Sequence, residues 1–268
     1  MCQKIDPEKK FFNTKIALKK YGDAVIDVGL WKSEQIFFEK YASKNDNILD
    51  IGCGAGRTTF ALYDLGYHNI IGIDIADILI KCANHYCKIL NKSIKFKIMD
   101  ASYMSFEKES FDIAFFSYNG LTGIPTQEKR LKVLNDVYRV LKNNGYFIFT
   151  AHDRNEDVLS KTFWKKEEER WKQGKNNPSL YEYGDVLTDH EGKKEFLHYY
   201  SYEEMRSFIE KTKFHIVETA KRKDIINESE IVKKFAKETY FWVLKINKGL
   251  GKYNEIRKWK FWNRIHRW

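Results

Sequence analysis

Prolines are scarce, three in 268 residues (Pro7, Pro125 and Pro178), and no low-complexity linker accompanies them. A collagenous or disordered chain is thereby excluded. The four cysteines, Cys2, Cys53, Cys82 and Cys87, keep neither a disulfide-framework nor a metal-ligand spacing, which excludes a disulfide-stapled miniprotein and points to a reducing compartment. Cys82 and His85 share a helix face that Cys87 leaves, so no metal site is expected. No stretch approaches the roughly 18 uninterrupted apolar residues of a membrane span, since charges break even Ile70–Ile80. The start, MCQKIDPEKKFF, has no apolar core behind its charges, and the expectation is a cytoplasmic protein.

What is present is a composition of 43% hydrophobic and 31% charged residues, enough for a sizeable core. The net charge of +10 is unevenly placed: residues 241–268 carry eight Lys or Arg against one acid, Glu255. Between 47 and 150, short β-rich runs alternate with segments of helical period, the pattern of a doubly wound α/β sheet. Strands are expected at Asn47–Ile51, Asn69–Asp74, Ile94–Asp100, Phe111–Ser117 and Gly145–Thr150. Helices are expected at Trp31–Ala42 and at Gln127–Leu141, the second started by Pro125-Thr126 and stopped by Asn143-Asn144-Gly145. The organisation expected is a helical leader or lid over 1–45, an α/β core over 46–153, an insert over 154–200, a completion of the sheet over 201–246 and a basic tail over 247–268. The insert should end in a hairpin, Tyr183–Leu187 with Glu195–Tyr200, around Asp189-His190-Glu191-Gly192. A helix near Tyr202–Lys211 and strands near Phe214–Thr219 and Thr239–Ile246 would follow.

The first strand runs into Asp50-Ile51-Gly52-Cys53-Gly54-Ala55-Gly56-Arg57. Glycines there let the backbone bend sharply and approach a ligand, and the next helix offers free N–H groups to polar or anionic atoms. The dinucleotide fingerprint would place its third glycine at position 57, where this chain has arginine. Asp74 closes the second strand, 22 residues after Gly52, where a carboxylate can accept bonds from both hydroxyls of a ribose.

This spacing resembles motif I of the class I S-adenosylmethionine-dependent methyltransferases, and the resemblance runs through residues 47–150 in order. It implies a Rossmann-like, mostly parallel seven-stranded sheet finished by an antiparallel pair near 214 and 239. It implies S-adenosyl-L-methionine as cofactor and S-adenosyl-L-homocysteine as product, without a metal. The cofactor contacts it implies are Tyr21, Asp50, Gly52, Cys53, Gly54, Gly56, Asp74 at the ribose, Ile75, Asp100 and Ala101 at the adenine, and Ser117. Arg139–Gly145 resembles the segment before the family's fifth strand, with Asn143 where proline is commoner.

Methyl transfer is an in-line displacement, so alignment and exclusion of water matter most and a base is optional. His152, Tyr118 and Asn119 stand at the sheet edge where such a group would be useful, with His198 as a second candidate base. Tyr118-Asn119-Gly120 departs from the Asn/Asp-Pro-Pro-Tyr/Phe signature of base methyltransferases, and no cysteine nucleophile follows strand four or five. The insert, with Trp164, Trp171, Tyr181, Tyr183, Tyr199 and Tyr200, is similar to the roof of small-molecule N- and O-methyltransferases. A small-molecule acceptor is therefore expected. In 253–268, Arg257, Lys260, Arg264 and Arg267 share a helical face opposite tryptophans, which suits an anionic membrane surface, RNA, or packing on this domain or a homodimer partner. An RNA methyltransferase using this tail and a non-catalytic cofactor-binding protein remain as alternatives, with peripheral membrane attachment as a variant location.

Overall fold

The computed structural model describes residues 7–156 and 158–248. The basic stretch over 253–268, with the membrane, RNA and homodimer contacts expected of it, lies outside the described residues. Three helices come first: α1 (Pro7–Phe12), α2 (Lys15–Asp27) and α3 (Lys32–Tyr41). The alternating core follows as β1 (Ile48–Ile51), α4 (Arg57–Asp64), β2 (Ile70–Asp74), α5 (Asp77–Ile89), β3 (Lys95–Ile98), β4 (Phe111–Phe116), α6 (Gln127–Val140) and β5 (Leu141–Ala151). The remainder is α7 (Val158–Lys172), β6 (Asp185–His190), β7 (Lys193–His198), α8 (Tyr202–Glu210), β8 (Phe214–Lys221), α9 (Arg222–Ile225), α10 (Glu230–Phe235) and β9 (Tyr240–Ile246).

Seven strands form one sheet in the order β3-β2-β1-β4-β5-β9-β8, and β6 with β7 forms a separate hairpin. The first five strands are parallel, while β9 pairs antiparallel with both β5 and β8. Both faces of the sheet are covered, so its central strands are apolar on both sides, as parallel strands require. Phe147, Phe149, Trp242 and Leu244 point to one face, where Val133, Leu134 and Val137 of α6 and Phe208 of α8 complete a core. Ile148, Phe241 and Val243 alternate to the other, against Phe37 and Phe38 of α3, Phe60 of α4 and Ala83 of α5.

Several boundaries differ from the sequence expectation. Helix α6 ends at Val140 because β5 already pairs from Leu141, opposite Phe111. The Asn-Asn-Gly segment is instead an outsized bulge before the pairing resumes at Tyr146 opposite Ile113, with Asn144 left-handed at φ 65°. The hairpin runs further into its turn than expected: Glu191 (φ 51°) and Gly192 (φ 80°) make a two-residue loop, and Val186 faces Leu197. The leader carries α1 and α2 ahead of α3, and the sequence expectation sets bounds only for α3. Thr14 caps α2 by accepting from the N–H of Ala17, and Ala17, Ala24 and Val25 bury one face.

Candidate functional site

Chain order places β1 beside both β2 and β4, so the connections leave β1 in opposite directions and open a crevice at the carboxyl ends of the strands. A cavity of about 430 Å³ lies there. Its floor is Gly52–Ala55 after β1, Asp74 and Ile75 after β2, Met99–Ala101 after β3 and Phe116–Gly120 after β4. The glycine turn is shaped by backbone need. Gly52 sits at φ 61°, and a Cβ there would lie 2.4 Å from the ring of Phe116. Gly120 meets the same ring, so Phe116 is seated between two positions where a side chain would collide. At Gly54 (φ 57°) a Cβ would project to 3.9 Å from Leu79 and Tyr21, into space that both residues line.

Asp74 ties the two strand ends together: Oδ2 accepts from the N–H of Gly54 and Oδ1 from the N–H of Ala76, both at 2.8 Å. Burial pushes its carboxyl up, and these backbone donors oppose the shift. Asp100 is exposed at the rim and accepts from the N–H and Oγ of Ser102. Tyr21 reaches in from α2 and donates to Glu195 of β7 at 3.2 Å. Cys53 lines the floor, but its thiol lies against Gly72 and burial pushes it well above the ordinary thiol range, so it is no nucleophile. Ser117 lines the cavity while donating to Glu34 and accepting from Arg57.

Two of the expected cofactor contacts, Asp50 and Gly56, do not line the cavity. Asp50 is 1% exposed beneath the loop, where its carboxylate accepts from Thr58 and Thr59 at the start of α4. Burial raises it to about 6 against the pull of those hydroxyls. Gly56 also lies behind the cavity, left-handed at φ 96° as the cap residue of α4, with its missing Cβ against Phe60.

Tyr118 (φ 51°) and Asn119 (φ 62°) are consecutive left-handed residues, a strained backbone that carries Asn119 inward. Hydrogen bonds hold it there. Asn119 N–H donates to Thr150 Oγ1, Thr239 Oγ1 donates to Asn119 Oδ1, and the Asn119 amide donates to His152 Nε2 at 3.0 Å. His152 Nδ1 in turn donates to the carbonyl of Glu238 at 2.7 Å. Both ring nitrogens are therefore engaged, and burial lowers His152 to about 4, leaving it neutral and weakly basic. The Tyr118 hydroxyl is likewise committed, to the carbonyl of Phe235.

His198 is not at this site. It is buried under the hairpin with Nδ1 2.7 Å from Asp185 Oδ1, and it borders a smaller, separate cavity. Among the described residues, Glu182, Asp185 and His198 have the donor types and proximity for a cation. Arg130 already neutralises Glu182, and Asp185 Oδ2 accepts two backbone N–H groups. Cys82, His85 and Cys87 form no such group among the described residues. The aromatic insert also corrects the expectation: of its six named rings only Tyr199 lines the main cavity. Trp164 packs on Tyr183 and Tyr199, and Tyr200 stacks on Phe208 in the core, because these rings have their own apolar surface to bury.

The insert's own share of the roof is the β6–β7 hairpin and Tyr199, joined by Phe12, Lys20, Tyr21 and Ala24 of the leader and by Lys233, Lys234, Phe235 and Lys237 around the end of α10. Sequence reasoning also missed the Arg57–Glu34 pair. Arg57, 9% exposed at its side chain, makes two 2.7 Å bonds to fully buried Glu34 and donates to the carbonyl of Gly29. Glu34 accepts as well from the N–H of Trp31, so one carboxylate joins the leader, the glycine turn and Ser117. Only the arginine's position inside the motif hinted at it.

The chain is similar to known proteins over the α/β core. Residues 42–204 match the model of a family described as a methyltransferase domain. The human eEF1A lysine and N-terminal methyltransferase is 30% identical over 143 residues, which are 53% of this chain and 19% of that protein. The demethylmenaquinone methyltransferase of Lactobacillus johnsonii is 34% identical over 120 residues, 43% of this chain and 47% of its own. The chain thus spans less than half the length of either relative. An S-adenosylmethionine-dependent methyltransferase structure from Methanosarcina mazei shares the fold, with a TM-score of 0.65 at 23% identity over 82% of this chain and 99% of that one.

Proposed function

The chain belongs to the methyltransferase-domain family, and on that premise we propose that it is an S-adenosylmethionine-dependent enzyme that methylates an N or O atom of a small-molecule acceptor. When bound, the cofactor supplies an electrophilic methyl group on a sulfonium. Gly52, Gly54 and the Asp74 carboxylate would hold it, since the cavity that Gly54 lines and the acid at the end of β2 fit a nucleoside lying across the turn. Asp100 and Ala101 would border the base, with Tyr21 above.

The observation that carries the small-molecule reading is the roof. Helix α2 and strand β7 meet over the cavity through Tyr21 and Glu195, leaving a space suited to a compact acceptor. Related proteins are named for acceptors as different as an elongation factor and a menaquinone precursor, so the acceptor class must come from this chain's own cavity. Its walls supply positioning more than acid–base chemistry. Asn119 and His152 form a rigid polar edge whose hydrogen bonds are already satisfied, and their task is to orient the acceptor and exclude water.

The test is calorimetric titration with S-adenosylmethionine, S-adenosylhomocysteine and NAD, followed by transfer of labelled methyl groups to small amines and phenols and, separately, to RNA and protein fractions. Micromolar binding of the sulfur ligands alone, with label on a small molecule, is expected. Binding of NAD, or label only on macromolecules, would overturn the reading.

A further inference from the structure

The acceptor end of the cavity is ringed by positive charge. Lys20 of α2, Lys233 and Lys234 of α10, and Lys237 just beyond it all line the cavity. Lys20 Nζ stands 5.4 Å from the ring centre of Tyr118, and Tyr118 stacks on Phe235, the residue following Lys234, at 4.7 Å. Lys20 and the three exposed lysines around the end of α10 thus line the same cavity as this aromatic pair.

Their counter-charges are few. Lys233 pairs with Glu230 at 2.8 Å in an exposed contact, which screening makes weak. Lys234 and Lys237 make no ion pair among the described residues. The acid lining this end, Glu195, is shared among the Tyr21 hydroxyl, His190 and Lys20. The other acids of the cavity, Asp74 and Asp100, belong to the opposite end and already accept hydrogen bonds. Positive charge also reaches inward: Lys237 adds to burial in disfavouring a proton on His152. A cleft of one sign with apolar walls concentrates ligands of the other sign and repels like charge.

We propose that the methyl acceptor is a ring-bearing organic anion, its flat body against Tyr118 and Phe235 and its carboxylate or phosphate among Lys20, Lys234 and Lys237. This rests on the small-molecule reading above. A cationic amine is disfavoured at the same place by the same field, so the chemistry selects acids over bases of equal size.

The full chain, saturated with S-adenosylhomocysteine, is titrated with 4-hydroxybenzoate and phenyl phosphate, with their neutral counterparts 4-hydroxybenzamide and phenol, and with benzyltrimethylammonium. The expected result is anion binding about tenfold or more tighter than the neutral counterpart, falling with added salt. Carboxylate against phosphate distinguishes the two headgroups. In Lys234→Gln/Lys237→Gln the preference should fall severalfold while affinity for S-adenosylhomocysteine is unchanged. No anion preference in the wild type, whether all probes bind alike or none binds, overturns the proposal, as does a preference that survives in the double variant. Failure to bind S-adenosylhomocysteine at all would instead overturn the methyltransferase reading beneath it.

Discussion

The carboxylate of Asp74 holds the N–H of Gly54 at 2.8 Å, so the acid that ends β2 fixes the glycine turn that leaves β1. The two most ligand-like features of the sequence are one hydrogen-bonded unit. Asp74→Ala therefore removes both a cavity-lining carboxylate and the brace of the turn. A charged acceptor's hydrogen bonds contribute roughly 1.5–3 kcal/mol each, so affinity for S-adenosylhomocysteine should fall by about a hundredfold or more. Titration calorimetry on a variant with unchanged circular dichroism is the check, and unaltered affinity would remove Asp74 from the site.

The Arg57–Glu34 pair makes a separate prediction about stability. Glu34→Ala leaves a guanidinium buried without its partner and uncaps the N–H of Trp31, and should cost about 3–5 kcal/mol in urea unfolding. Glu34→Met/Arg57→Met removes both charges and should cost less than the single change. A double variant as damaged as the single one would show that packing, and not the unpaired charge, decides the outcome.

The collision around Phe116 is testable by a cycle. Gly52→Ala must place a methyl group 2.4 Å from the ring at a left-handed backbone, and should destabilise by about 1–3 kcal/mol and weaken cofactor binding. Phe116→Ala alone leaves a cavity and costs about 3–5 kcal/mol. Together they should cost less than their sum by on the order of 1 kcal/mol, since the smaller residue makes room for the methyl group. Additive losses would place the strain elsewhere.

His152 predicts a pH dependence whose sign is opposite to that of Asp50. The fold lowers His152 to about 4 from an ordinary 6.5, so below pH 6.5 the unfolded chain takes up a proton that the folded one refuses. Stability from this group is full above pH 6.5 and is lost as pH falls toward 4, by at most about 3 kcal/mol. Asp50, raised from 3.8 to about 6, is protonated first in the fold and adds stability over the range below 6. The difference in unfolding free energy between wild type and His152→Gln isolates the histidine, and it should shrink as the pH drops from 7 to 4. The same variant should leave the pH–rate profile between 6 and 9 unshifted; a lost ionisation in that range would make His152 a base after all.

What could be read in the sequence was what local chemistry encodes. The glycine turn, Asp74 and the alternation of strands are short-range signals, because backbone conformation at Gly52 and Gly54 restricts residue choice directly. Asp50 stood at the motif's first position, yet only the fold shows its carboxylate turned down to Thr58 and Thr59. Which rings of the insert face the cavity was hidden for the same reason: Trp164, Tyr183 and Tyr200 have the composition of a pocket lining but face one another or the core, which periodicity in a 47-residue insert could not reveal. Lys234 and Lys237 lay in a charged stretch with no sign of a site until β9 and α10 carried them to the cavity.

The bond between Tyr21 and Glu195 joins residues 174 positions apart. On the ribosome the first half of the roof is made long before the second. A chain released early can own the glycine turn and both acids and still lack a closed chamber. The covered cavity thus requires the chain through Glu195, and a product that ends before it would leave the crevice at the strand ends open to water.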